Sequence, residues 1–270
     1  MMTPLLHQLD AGYAFVERNW GLVKRYIGWD FVWLVYGAVS TLTIGLIGVS
    51  AAGVGGQSAV LYLLIGALLW TFLSVMFQFM SESVQWERWE GTIEYTFMAP
   101  VSRVTYLAGH GVFAVSYSLL RTVLILGITV LWFHLDLSHA NLLAALLVLL
   151  LASLSFLGLG LLGATLPLLS TERGAQATHI VNGVLLLCSS VYYPITVLPH
   201  WLQPLAAVNP ATLTLDAIRA CMMQGAGLGD VWPQVWRLLL TAVVLIPVGM
   251  LAFAWGERRA MRTGKLKRNG

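Results

Sequence analysis

The 270-residue sequence has few charged residues. The 15 Lys and Arg and the 12 Asp and Glu make up 10% of the chain, against about 25% in soluble proteins. Hydrophobic residues make up 58%, and the mean hydropathy is +0.79. Because a soluble domain of this size must cover its surface with polar groups, this composition excludes a soluble enzyme and a disordered chain. It indicates a protein that crosses the membrane several times.

Cysteine is also scarce. The two cysteines, Cys188 and Cys221, exclude a disulfide scaffold and a metal site built from cysteine. The net charge of +3 is too small to indicate nucleic-acid binding. No apolar block with a small-residue cleavage site precedes Phe31, so we expect the N-terminus to be retained.

Long uncharged runs dominate the rest of the chain. A membrane-spanning helix needs about 20 apolar residues and satisfies its own backbone hydrogen bonds in lipid. Six segments predict an all-α membrane protein with six spans: Phe31–Ser50, Ala59–Met80, Val104–Phe133, Leu142–Ser170, Thr178–Leu198 and Val235–Trp255. Residues 31–255 then form the transmembrane domain, between an N-terminal segment, 1–30, and a basic tail, 256–270.

The positions of Lys and Arg set the predicted orientation. Six spans place both termini on one side of the membrane. Twelve of the 15 lysines and arginines lie on that side, Arg219 and Arg237 lie on the other, and Arg121 lies within the third span. Because cytoplasmic loops carry the excess of Lys and Arg, both termini are predicted to be cytoplasmic.

The segment Gly12–Gly28 has the pattern of an amphipathic helix. One face carries Tyr13, Val16, Trp20, Val23 and Ile27, and the other carries Arg18, Gly21 and Arg25. This pattern predicts a helix in the cytoplasmic membrane interface. It leaves open whether the helix is a general membrane anchor or a specific docking element.

The predicted cytoplasmic loop Ser81–Arg103, residues 81–103, is acidic. Glu87, Glu90 and Glu94 are spaced so that a single helix would present them on one face. Repulsion disfavours such a helix on its own, and a basic partner would offset it. Gly91 allows a bend, and Pro100 is expected to end the helix. Composition alone favours a solvated loop.

The predicted outer segment Tyr192–Trp232, residues 192–232, is apolar but divided by four prolines. Its pieces are too short to cross the membrane. Apolar pieces broken by proline at a membrane surface predict re-entrant or interfacial helices, with an ordinary outer loop as the alternative.

Together these features resemble the permease subunit of ABC type-2 exporters, a family of drug, antibiotic and glycan export permeases. The cytoplasmic pattern E-R-x-x-G-T-x-E…P is present as Glu87-Arg88-Trp89-Glu90-Gly91-Thr92-Ile93-Glu94 with Pro100. The outer pattern Y-P…L-P…N-P-x-T…D-x-x-R is present as Tyr193-Pro194, Leu198-Pro199, Asn209-Pro210, Thr212, Asp216 and Arg219. The sequence departs from the family pattern at Trp89-Glu90, where many relatives have smaller or different residues.

The resemblance implies that this chain supplies the translocation path and holds no cofactor. Two copies of an ATP-binding-cassette ATPase subunit would bind ATP and Mg, and a second permease, identical or related, would complete the path in the lipid bilayer. The residues implied in ATPase coupling are Glu87, Arg88, Glu90, Gly91, Thr92, Glu94 and Pro100. The sequence agrees, because Gly264-Lys265 lacks the rest of a G-x-x-x-x-G-K-[ST] motif.

Eight residues are candidates for the translocation path or its gate: Trp70, Phe72, Arg121, Tyr192, Tyr193, Pro194, Asp216 and Arg219. An aromatic, apolar path fits hydrophobic or amphipathic cargo, and lipid-linked glycans are the alternative cargo within the family. An Arg at the centre of a span is unfavourable by about 2.5–3.5 kcal/mol. We therefore expect Arg121 to face the protein interior or a wet cavity and to bond Asp216, backbone carbonyls or water.

Two other functional classes fit less well. A membrane protease needs a paired serine and histidine or a zinc motif, and none of the six histidines lies in such a motif. A secondary transporter needs carboxylates within its spans for ion coupling. No acidic residue lies clearly in the middle of a predicted span, so the sequence favours an external energy source.

Overall fold

The computed structural model describes residues 4–170 and 174–263, and within these ranges every regular element is a helix. The α-helices are α1 (Pro4–Arg25), α2 (Ile27–Ser81), α3 (Ser83–Glu90), α4 (Ile93–Met98), α5 (Arg103–Phe133), α6 (Leu142–Leu169), α7 (Gly174–Leu187), α8 (Gln203–Val208), α9 (Pro210–Gln224) and α10 (Trp232–Arg262). A 3₁₀ turn covers Ile195–Val197. The all-helical fold is confirmed.

Five segments of the described chain are long and apolar enough to cross a membrane: Ile27–Ser50 and Ser58–Ser81 within α2, and the helices α5, α6 and α10. They coincide with five of the six predicted spans. The tail beyond residue 263 lies outside the described residues.

The two halves of α2 pack against each other. A Cβ atom on Gly48 would lie 3.0 Å from the Cα atom of Val60, whereas twelve residues of a straight helix cover about 18 Å. Gly45 in turn lies against Leu64. The chain therefore turns back within α2, and its first half runs antiparallel to its second half.

The predicted fifth span, Thr178–Leu198, is not a single helix. α7 has 14 residues, about 21 Å at 1.5 Å per residue, and it ends at Leu187 before the irregular stretch that contains Pro194 and Pro199. The hydroxyl of Ser189 bonds the Leu186 carbonyl and so closes the last turn. The prediction of six spanning helices is therefore not confirmed.

The chain nevertheless crosses the bundle between α6 and α10. The last turn of α6 lies beside α3, where Arg88 donates a hydrogen bond to the Pro167 carbonyl. The last turn of α9 lies at the opposite end of the bundle, where Gly225 contacts His139 in the turn between α5 and α6. Asn209, which starts α9, bonds the Cys188 carbonyl that follows α7. This crossing is thus made by α7 and α9 in succession.

α6 and α10 form the most extensive helix pair, and they run in the same direction. Ser155 bonds the Leu238 carbonyl, and a Cβ on Gly158 would lie 2.6 Å from Cβ of Leu245. Further along, a Cβ on Gly249 would lie 2.7 Å from Cβ of Leu161. Small residues permit this close helix contact.

Both described ends of the chain lie at one end of the bundle. α1 is joined to α3 through Arg18 and Glu87, and α10 is joined to the start of α5 through Glu257 and Arg103. We call the end that holds α1, α3 and α4 the coupling end. The Lys and Arg distribution predicts that it faces the cytoplasm.

Candidate functional site

The acidic loop forms two short helices at the coupling end. α3 ends at Glu90, Gly91 takes the left-handed conformation with φ of 73°, and α4 begins at Ile93. Glycine adopts this conformation at helix ends without strain. The bend at Gly91 is confirmed, as is the end of the helix before Pro100. The prediction of one helix with an acidic face is wrong, because Gly91 divides it.

Glu87 lies inside the protein. Its side chain is completely buried. It accepts hydrogen bonds from Arg18 Nη1 at 2.7 Å, from the Thr92 hydroxyl, and from the Thr96 hydroxyl at 2.9 Å. The expectation that Glu87 belongs to an exposed carboxylate face is therefore wrong. Its charge is compensated by Arg18, and the carboxylate holds α1, α3 and α4 together.

Arg88 fixes α3 to the end of α6. Its side chain is 2% exposed and donates to the carbonyl of Pro167, in the last turn of α6. The last four carbonyls of a helix lack partners within it, and a cation is favourable there. Burial lowers the pKa of the Arg88 guanidinium. The Glu-Arg pair of the sequence motif thus holds α3 from two sides.

The six exposed side chains of α3 and α4 form what we call the docking face: Trp86, Trp89, Glu90, Glu94, Tyr95 and Met98. The Trp86 and Trp89 rings meet edge to face with centroids 5.1 Å apart. Tyr95 is 79% exposed and Met98 is 84% exposed. Of the predicted carboxylate face, Glu90 and Glu94 are therefore the members available to a partner.

Glu82 lies between α2 and α3, beside this segment. Its Oε1 is 3.7 Å from Nε2 of His179 on α7. Burial raises the pKa of the Glu82 carboxyl, and the nearby His179 lowers it by less. The contact places the start of α3 next to α7.

A helix in the predicted N-terminal segment is confirmed, with bounds of Pro4–Arg25 in place of Gly12–Gly28, and Ile27 of the predicted face lies in α2. Its position in the membrane interface stays a prediction. This helix runs along the beginning of α5. Phe15 packs edge to face on Tyr106 at 5.2 Å, and Trp20 packs on Phe113 at 5.6 Å. Much of its apolar surface is therefore used in contact with α5, although Tyr13 of the predicted face is 69% exposed.

Arg121 bonds the backbone of the first half of α2. One Nη donates to the carbonyl of Trp33, and the guanidinium passes over Gly37, where a Cβ would lie 3.1 Å from Nη2. The predicted bond to a backbone carbonyl is confirmed. The structure shows no bond to Asp216, which lies on the surface of α9.

Asp30 is the acidic residue near Arg121 that the sequence interpretation missed. Asp30 Oδ1 accepts a hydrogen bond of 2.6 Å from the Tyr117 hydroxyl, one turn before Arg121 on α5. The first span was taken to begin at Phe31. The apolar residues Ile27 and Trp29, which precede Phe31 in the same helix, were the available signal for an earlier start.

Arg219 is a structural anchor of the outer segment. It is 7% exposed and donates to the carbonyls of Ser190 at 2.9 Å and Val191 at 2.8 Å. Its guanidinium lies 3.4 Å from the ring centroid of Tyr62, which is a cation–π arrangement. It joins α9 to α2 and to the chain that follows α7.

The start of α9 matches the outer sequence pattern. The side chain of Asn209 caps the helix by accepting from the Ala211 backbone N–H at 3.0 Å, and Pro210 occupies the first turn. Both positions are favoured at helix starts. The prediction of short helices in this segment is confirmed, whereas their re-entry into the membrane stays a prediction.

The eight path candidates lie on several different elements of the described chain. Phe72 is completely buried, and Trp70 packs against the same core. Tyr193 donates to the Leu187 carbonyl at 2.7 Å, Tyr192 is half-buried, and Pro194 precedes the 3₁₀ turn. The aromatic residues of this group serve packing and loop geometry in the single chain.

Comparisons with known proteins agree with these features. The family model of the ABC-2 type transporter matches residues 19–223. Probable multidrug ABC transporter permease YbhR of Escherichia coli K12 is 27% identical over 182 residues, covering 67% of this chain and 48% of that protein. ABC transporter G family member 20 of Dictyostelium discoideum is 28% identical over 170 residues, covering 62% and 23%. The chain thus spans half or less of the length of these relatives.

Proposed function

Since the chain belongs to the ABC-2 type transporter family, we propose that it is the permease subunit of an ATP-driven exporter for hydrophobic or amphipathic compounds. It is a multi-pass membrane protein of the bacterial inner-membrane type. A separate ATP-binding-cassette ATPase supplies the energy. Two permeases and two ATPases form the working unit, with the path between the permeases.

The observation that carries this proposal is the architecture of α3 and α4. Glu87 and Arg88 are used internally to hold these helices against α1 and α6, while the docking face stays exposed. Tryptophan, tyrosine and methionine are enriched in protein interfaces, and aromatic residues often dominate binding energy. This combination fits a rigid pair of helices whose exposed docking face binds a partner protein.

The proposed mechanism is a change between two states. Closure of the ATPase dimer on ATP pushes the docking face, and α3 and α4 move as a unit. Glu87 carries this displacement to α1 through Arg18, and Arg88 carries it to the end of α6. ATP binding thereby favours the outward-open arrangement over the inward-open one.

The cargo proposal is supported by the apolar character of the chain and by the multidrug permease among its relatives. The test is the ATPase rate of the purified permease–ATPase complex in lipid nanodiscs, measured against a panel of hydrophobic compounds and a lipid-linked glycan. We expect saturable stimulation by members of the compound panel. Stimulation by the glycolipid alone assigns the glycan cargo instead, and an ATPase that does not co-purify refutes the assembly.

A further inference from the structure

Arg103 and Glu257 form an ion pair that joins the start of α5 to the end of α10. Nε of Arg103 donates to Oε1 of Glu257 at 2.7 Å, and Glu257 is 7% exposed. Glu257 is the only acidic residue that follows Asp230 in the sequence, and its neighbour Arg258 is exposed. A carboxylate turned inward at a basic helix end indicates a specific contact.

The same guanidinium also reaches α4. Nη2 of Arg103 donates to the carbonyl of Phe97 at 2.7 Å, and the guanidinium carbon lies 4.5 Å from the centroid of the Phe97 ring. Phe97 lies in the last turn of α4, where helix carbonyls lack internal partners. The fork of donors on arginine suits such a double contact. Arg103 is therefore a joint between α4, α5 and α10.

The end of α10 is in turn packed on α6. A Cβ on Gly256, next to Glu257, would lie 3.5–3.6 Å from side-chain atoms of Leu168 and Thr165. An added methyl group would thus make ordinary van der Waals contact, so the two helices lie side by side here with room for about one methyl group between them. A displacement of α4 that reaches Glu257 therefore also moves against α6.

We propose that Arg103 and Glu257 are positioning residues that transmit the movement of α4 to α10 during transport. This inference rests on the proposed function and adds a second connection to it. Arg88 connects α3 to α6, and the Arg103–Glu257 pair connects α4 to α10. Because α6 and α10 pack along their length, both connections act on one helix pair.

The test is a charge swap measured as compound exported per ATP hydrolysed. Arg103→Glu and Glu257→Arg each lower this ratio by about five- to tenfold, a typical size for a coupling effect. The double swap re-forms the ion pair but leaves no donor for the Phe97 carbonyl, so it recovers only part of the loss. Arg103→Lys gives an intermediate value because it keeps the charge without the fork. Arg258→Glu, a charge reversal at the exposed neighbour, leaves the ratio at the wild-type value. Single reversals with a wild-type ratio, or a double swap with a ratio no higher than that of the single reversals, overturn the proposal.

A second measurement works without the ATPase. In the purified permease, Glu257→Gln raises the hydrogen-exchange rate of the α4 peptide, and Arg258→Gln does not. An unchanged α4 peptide shows that the contact does not hold α4 and overturns the proposal. Faster exchange with a wild-type transport ratio shows a purely structural contact and overturns it as well. A complex that no compound stimulates refutes the proposed function, while the exchange result still decides the contact.

Discussion

Replacing Glu87 with Gln is the sharpest test of the buried cluster at the coupling end. The change keeps the shape of the side chain and removes its charge. Glu87 is fully buried and accepts from Arg18, Thr92 and Thr96, whereas Arg18 is 32% exposed. Breaking a fully buried ion pair costs about 3–5 kcal/mol. Because water partly solvates Arg18, we expect a smaller loss, about 2–3 kcal/mol.

The assay is thermal unfolding of the purified complex in nanodiscs, with Glu90→Gln as the matched control. Glu90 is exposed three residues later in the same helix, and surface changes usually stay within about 0.5 kcal/mol. One kcal/mol shifts Tm by about 2–4 °C in chains of 150–250 residues, so Glu87→Gln lowers Tm by about 4–12 °C. A double-mutant cycle with Arg18→Gln yields a coupling of about 1–2 kcal/mol.

Equal Tm values for Glu87→Gln and Glu90→Gln contradict the reasoning, because they place Glu87 in solvent. The same geometry changes what a charge reversal can report. Glu87→Lys brings a cation next to Arg18 inside the cluster and destabilises α3 and α4 directly. Glu94→Lys alters the exposed docking face, so it is the variant that reports on ATPase contact.

Three further changes test other parts of the structure. Gly158→Ala lowers Tm, because the new Cβ would lie 2.6 Å from Cβ of Leu245 and push α6 from α10. Glu82→Gln raises Tm at pH 8, and this gain shrinks toward pH 4.5. Because the pKa of Glu82 is raised in the folded protein, its contribution to stability is complete below its ordinary pKa of 4.5. That contribution is lost as the pH rises through the folded pKa, and glutamine does not suffer this loss. Arg219→Met makes the buried thiol of Cys221 react with maleimide, because α9 loses its anchor.

Matched controls exist for two of these changes. Gly127 has no atom within 4 Å of an added Cβ, so Gly127→Ala keeps or raises Tm through helix propensity. Arg237 is exposed, and Arg237→Met leaves Cys221 unreactive. Equal Tm losses for the two glycine variants, a gain for Glu82→Gln that does not depend on pH, or an unreactive Cys221 in Arg219→Met count against the respective contacts.

The spans could be predicted from sequence because uncharged runs of the required length have few alternatives in lipid. The structure of the coupling segment was harder to predict from sequence. The spacing of Glu87, Glu90 and Glu94 assumes one helix, and the left-handed Gly91 divides it. Arg18, which compensates Glu87, lies 69 residues away in sequence, and such a contact has no local signal.

The partners of Arg121 were likewise difficult to predict, because they lie far from it in sequence. Hydropathy indicated that this cation needs a polar partner, and the structure supplies the Trp33 carbonyl with Asp30 and Tyr117 nearby. The error of choosing Asp216 came from a boundary placed four residues late in the first span. Helix boundaries are the least reliable part of a sequence interpretation, and here one boundary hid the nearest carboxylate.

The most direct test of the central claim is ATP-dependent export from one defined complex. Permease and ATPase are reconstituted in liposomes with a fluorescent compound from the stimulating panel, and transport is recorded with ATP, without ATP, and with the docking-face variant Trp89→Ala/Glu94→Lys. We predict transport with ATP in the wild type and at least about a fivefold loss in the variant, with Tm unchanged because both residues are exposed. Equal transport by the two complexes, or transport by the permease without ATP, contradicts it.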